Sequence, residues 1–378
     1  MPGLPHQVTR GLARAAIGLA LPAILLTAGC SSLDRADRHK FEPLHFPSAD
    51  AWPRVVVYGS LGNLLPAFDR TPPLELWLYG PSSFGKTAMR NPQGMAILGT
   101  RLLVCDQGRS DIIAVDQADG SSLIWGDPDH RPRCPVDIAV GADTDVYVAD
   151  TSLHSVLHYG ADQRFRSEIK PHDASNEEFR PAALCVHDGI LYVGNVSGHR
   201  VDRWDLTTHR WLDSLTPPGS QPGLVAPTGL AFTRDGILLV VDAVGGRIFR
   251  YHKDGRWLDP IGRPGRGQGE FIRPKQVCVT DGGLTLVTDA GRQSVVVFDG
   301  DGRFVTEIRE QSEAWTGLTL PCGILSLSPE EMPTPPQAAV RDADHPTAYV
   351  IVSDSLGRDS LLLLGVFEWP GQESQRAR

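Results

Sequence analysis

Two charged side chains stand at nearly equivalent places in a repeating sequence: Asp137 is the second residue after Pro135, and Lys275 is the first after Pro274. A carboxylate and an ammonium brought together could pair, or share general-acid and general-base work. The equivalent stretches elsewhere are Gln93-Gly94-Met95, Ala182-Ala183-Leu184, Thr228-Gly229-Leu230 and Cys322-Gly323-Ile324. They add no histidine, aspartate or glutamate. A metal-dependent site needs several such ligands converging. The sequence therefore assigns no catalytic residue, no metal ligand and no cofactor. Asp137 and Lys275 remain as candidate binding residues, either paired or solvated separately.

Arginine adds a second pattern. Arg90, Arg133, Arg180 and Arg273 lie one or two residues before a proline that opens a repeat, and Arg109, Arg292 and Arg358 follow the acid that closes one. On one face they would form a collar whose guanidinium forks suit carboxylate, phosphate or an acidic protein surface. The alternative is ordinary solvated loop charge. His154 and His199 also share a slot, four residues after Asp150 and Asn195. Two imidazoles are too few to hold zinc without a third ligand.

Two nucleotide-like motifs fail on context. Gly80-Pro-Ser-Ser-Phe-Gly85-Lys86-Thr87 fits the phosphate-loop pattern, but only Ala88-Met89-Arg90 separate it from Asn91-Pro92. Three residues cannot form the helix whose N-terminal amides such a loop needs. The glycines of Gly262–Gly269 likewise precede no helix and read as a turn.

These residues must be positioned by short strands. In Ala226–Trp257, Pro-x-Gly opens an apolar run, Asp235-Gly236 turns, a second run ends at Asp242, and further runs follow. Such a meander has open edges and too little core to stand alone. Pro92, Pro135, Pro181, Pro227, Pro274 and Pro321 repeat the opening at spacings of 43, 46, 46, 47 and 47. Asp106, Asp150, Asn195, Asp242, Asp289 and, after the insertion Pro329–Pro346, Asp354 close the second run. A period in the forties with four strands per unit predicts an all-β, six-bladed β-propeller. The recurring acids are expected to accept backbone amides in the turn that follows. The last unit lacks a fourth strand, so Arg54–Leu61 is expected to supply it and close the ring. Leu74–Tyr79 reads as an outer strand before blade one.

The phrases EEFRPAAL, APTGLAF and GEFIRPKQV, with VYVAD, LLVVD, LTLVTD, GRIFRY and QSVVVFDGDGRF, resemble NHL repeats across Asn91–Phe367. The resemblance implies a propeller. For function it implies either a binding scaffold or a lyase- or lactonase-type enzyme with a ligand in the central channel.

Residues 1–30 read as a lipoprotein signal peptide, with Arg10 and Arg14 before the apolar run Ala15–Leu26 and LTAGC ending at Cys30. That ending resembles a lipobox with Cys30 lipidated, and Ser31 suggests the outer membrane. Residues 31–52 are expected to be a flexible tether, 53–368 the propeller and 369–378 a polar tail. Removing two arginines takes the net charge from −9 to −11. So acidic a chain is a poor nucleic-acid binder. The expected partners are a membrane, through the anchor, and an envelope protein or other anionic partner on the loop-rich face, with no nucleotide. The long loops of that face are Trp125–Arg133, Lys170–Arg180, Thr216–Ala226 and Pro260–Arg273.

Overall fold

Each opening proline lies directly across the ladder from its closing residue: Pro92 from Asp106, Pro135 from Asp150, Pro181 from Asn195, Pro227 from Asp242, Pro274 from Asp289 and Pro321 from Asp354. The spacing seen in the sequence is thus a strand register. These pairs come from a computed structural model, which describes residues 44–47, 53–60, 89–117, 121–170, 179–219, 221–309, 317–332, 345–357 and 360–368.

Six antiparallel sheets result, five of four strands and one of five. In blade one they are β3 (Pro92–Leu98), β4 (Arg101–Asp106), β5 (Asp111–Asp116) and β6 (Ser122–Trp125), and the next four blades repeat the order. The lead-in loop of each inner strand and the turn between its second and third strands emerge on one face, called here the top. Every inner strand shifts register just after its proline. That bulge re-aims the next two side chains, which matters for the channel.

Blade six consists of β23 (Pro321–Leu327), β24 (Ala348–Asp354) and β25 (Leu361–Phe367), completed by β2 (Arg54–Ser60). The N-terminal strand therefore closes the ring. Beyond it β1 (Leu44–Phe46) adds a fifth strand, pairing Leu44 with Val57 and Phe46 with Val55. This corrects the expectation of a tether throughout 31–52. This short strand carries Phe46, whose side chain is buried in the core between blades five and six. Leu74–Tyr79, the phosphate-loop-like Gly80–Thr87 and the tail 369–378 lie outside the described residues.

There is no single core. Buried apolar residues form six clusters, one at each junction between neighbouring blades. In β2 the alternation is visible: Val55 and Val57 pack toward blade five, while Val56 and Tyr58 pack toward blade one. Each such side chain contributes about 1.5–3 kcal/mol through burial, so one strand joins two cores. Among the described residues no helix is long and apolar enough to cross a membrane.

Candidate functional site: the channel mouth and its rim

The first residue after each opening proline reaches the axis. Gln93, Val136, Ala182, Thr228, Lys275 and Cys322, one per blade, line a cavity of about 320 Å³ at the top of the channel. The second residues are Gly94, Asp137, Ala183, Gly229, Gln276 and Gly323. Four blades place glycine or alanine there, and only blades two and five, opposite each other in the ring, carry long polar side chains. The Gln276 side chain faces the Asp137 carboxyl from the opposite blade and lowers its pKa. A floor results. Of the two arrangements open from the sequence, an Asp137–Lys275 pair does not form: Lys275 is one position earlier and lines the cavity, and the side chain that acts on Asp137 is Gln276.

Asp137 is buried, and its Oδ2 accepts the Leu184 N–H at 2.8 Å. Burial pushes its carboxyl up to about 7, against which the Leu184 and Gln276 hydrogen bonds act in the opposite direction. Room for it comes from Gly94, where a Cβ would stand 2.0 Å from Asp137 Oδ1.

One wall is a chain of neutral groups. Gln93 Nε2 donates to Ser355 Oγ (2.9 Å) and to Asn91 Oδ1 (2.7 Å). Asn91 Nδ2 donates to Gln107 Oε1 (2.8 Å), and Gln107 Nε2 to Cys134 Sγ (3.0 Å). Opposite, Thr228 Oγ1 donates to the Lys275 carbonyl at 2.8 Å. Burial raises the Cys322 thiol pKa, while hydrogen bonds from Ser355 and Gln93 and the Lys275 charge oppose it.

The closing acids are not free for chemistry. Asp242 accepts the N–H groups of Val225 and Ala226 before the proline and of Val244 and Gly245 after itself, at 2.9–3.2 Å. Asp150, Asp289 and Asp354 do the same in their blades. Each ties the turn to the lead-in loop, one bond set more than the turn alone required. Asn195 serves in blade three, with its Nδ2 donating to Asp202 Oδ2 at 2.9 Å.

The histidines staple blades together. His154 and His199 adopt φ of 52° and reach the carbonyls of Phe179 and Val225 in the next lead-in loops, at 3.1 and 2.6 Å. Ser110 and Gln293 fill the same left-handed slot, bonding Arg133 O and Thr319 O at 2.7 and 3.1 Å. Among the described residues no three His, Cys, Asp or Glu side chains converge on a metal position. The channel's one carboxyl and one thiol do not amount to the oxygen-rich set that calcium takes.

On the rim, Arg90, Arg133, Arg180 and Arg273 are exposed, each with its own N–H fixed by a closing residue. Arg109 is half-buried. Arg292 departs from the collar. It is buried and committed to Glu307 through Nε–Oε1 (2.9 Å) and Nη2–Oε2 (2.5 Å), with Nη1 on Gly267 O at 3.2 Å. Arg358 and Cys30 lie outside the described residues. What the sequence reading missed is apolar: Val225, Val244, Ile272 and Leu356 are exposed on these same loops, Val244 at 69% and Leu356 at 70%. Val244 and Leu356 occupy a slot that is Gly108, Ser152, Ser197 or Gly291 in other blades, which is a readable signal.

Residues 226–309 match a protein-family model, DUF5128, described as a 6-bladed beta-propeller. No curated protein matches the chain. Among solved structures it is similar to a gluconolactonase from Xanthomonas campestris, at 16% identity and TM-score 0.53, covering 86% of this chain and 94% of that one. It is similar to virginiamycin B lyase from Staphylococcus aureus, at 12% identity and TM-score 0.51, covering 74% and 97%. Regucalcin from Agrobacterium tumefaciens, a calcium-binding protein, gives 12% identity and TM-score 0.53, covering 75% and 93%. At these identities the likeness is one of fold. The chain is a six-bladed β-propeller closed by its N-terminal strand.

Proposed function

We propose that this propeller is an NHL-type, lipid-anchored binding module outside the cytoplasm, which holds an envelope protein against its top face. One observation carries the reading: exposed guanidinium groups and exposed large apolar side chains share that face. Four of the eight exposed large hydrophobics among the described residues, Val225, Val244, Ile272 and Leu356, stand on top loops of blades four to six. Apolar side chains raised on loops are the kind of surface that partners cover. Their presence favours a protein over an anionic polymer, which the arginines alone would suit. The anchor at Cys30 would set the propeller at a membrane, the outer one where the cell has two.

The test compares partner recovery from crosslinked membranes for wild type, Val244→Asp with Leu356→Asp, and Arg133→Glu with Arg180→Glu. Loss in both variant pairs, with unchanged melting, supports the reading; recovery equal to wild type in both contradicts it. Cys30→Ser should move the protein from the membrane fraction to the soluble one.

A second reading rests on Asp137. A buried carboxyl brought to about 7 beside a cavity is suited to acid–base work, as a lyase- or lactonase-type enzyme would use it. Turnover of a channel ligand abolished by Asp137→Asn would favour that reading.

A further inference from the structure

The geometry points to the channel mouth as a carboxylate-binding site centred on Lys275, with Gln93 and its neutral neighbours holding the rest of the ligand. The site differs from the top-face loops and does not depend on them.

Lys275 is the one charged side chain among the residues lining the cavity. No hydrogen bond or ion pair engages its ammonium among the described residues, although its charge is felt at the Cys322 thiol. The acids that could neutralise it are occupied elsewhere. Asp289, in the same blade as Lys275, and Asp354, in the next, each accept four backbone N–H groups. Asp137 is part of the floor, buried, with its Oδ2 accepting the Leu184 N–H and Gln276 beside it. A half-buried cation whose fellow lining side chains are all neutral favours an anion.

The neutral wall is preorganised. Gln93 has its amide orientation set by two hydrogen bonds, and Asn91 and Gln107 continue the chain. Groups already held in place lose little freedom on binding. The floor limits depth, and about 320 Å³ lies at the small end for ligand sites. The ligand class is therefore a small carboxylate bearing hydroxyl or amide groups. Both a free hydroxy acid and the C-terminal residue of a peptide present that chemistry.

Ligand-observed NMR on the folded propeller decides it, using glycerate and N-acetylglycine with their neutral counterparts glyceramide and N-acetylglycinamide. The acids should bind wild type and Lys275→Arg, and weaken about ten- to a hundred-fold in Lys275→Met, as for the loss of a charge-assisted bond. Binding of glycerate alone would identify a free acid, and of N-acetylglycine alone a chain terminus. Acids that bind Lys275→Met as well as wild type would overturn the assignment. So would neutral probes that match the acids, or no binding by any probe while melting is unchanged. Val244→Ser should leave acid affinity intact, which separates this site's failure from that of the top-face docking.

Discussion

Asp137 and Gln276 meet across the channel axis from opposite blades, and every blade between them supplies glycine or alanine at the same register. The pair and the small residues form one solution: two long side chains fill the centre only if their neighbours vacate it.

Gly94→Ala tests that packing. The new methyl would stand 2.0 Å from Asp137 Oδ1 and 2.7 Å from its Cα. Because backbone is hit as well as side chain, trimming Asp137 to alanine should not restore stability. The expected loss is about 1–3 kcal/mol, read by urea denaturation of the single and double variants.

Asp137 should also make stability depend on pH. Its folded pKa of about 7 lies above the ordinary 3.8, so between those values the folded chain binds the proton that the unfolded chain releases. The contribution is full below about pH 4, declines as pH rises, and is gone above about 7. Three pH units correspond to about 4 kcal/mol. Asp137→Asn should flatten the slope across this window and be the more stable form at pH 8; parallel profiles would contradict this.

The closing acids predict an asymmetry between blades. Asn195 works because its Nδ2 finds Asp202, seven residues on. The residue seven after Asp242 is Phe249, buried and apolar. Asp242→Asn should therefore leave an amide donor unsatisfied and lose about 1–3 kcal/mol, and Asp242→Ala more. Asn195→Asp should destabilise too, by placing a second carboxylate beside Asp202. Melting temperatures of the three variants check it.

Ring closure predicts that removing residues 1–60 exposes both flanking cores. Val55, Val56, Val57 and Tyr58 are all buried, at about 1.5–3 kcal/mol each. The truncated chain should melt far lower or fail to fold; an unchanged melting temperature would refute the closure.

The fold was legible because the chain repeats. Proline and closing acid recur at one spacing, and that spacing is a ladder register in all six blades. The missing fourth strand of blade six pointed to Arg54–Leu61, and the strand observed there is Arg54–Ser60. Local exceptions were harder. Leu44–Phe46 is too short to announce a strand. Lys275 drew attention by its charge, although Gln276 shares the register of Asp137. Arg292 looked like its fellow arginines, but its partner Glu307 lies on another strand, a contact that spacing alone does not show.

The docking of a protein on the top face is tested most directly by a photo-crosslinking amino acid placed singly at position 356 or 244, and at position 235 on the opposite face, in cells. The account predicts one discrete adduct from both top positions and none from 235. Adducts of equal yield from all three positions, or from 235 alone, would contradict it.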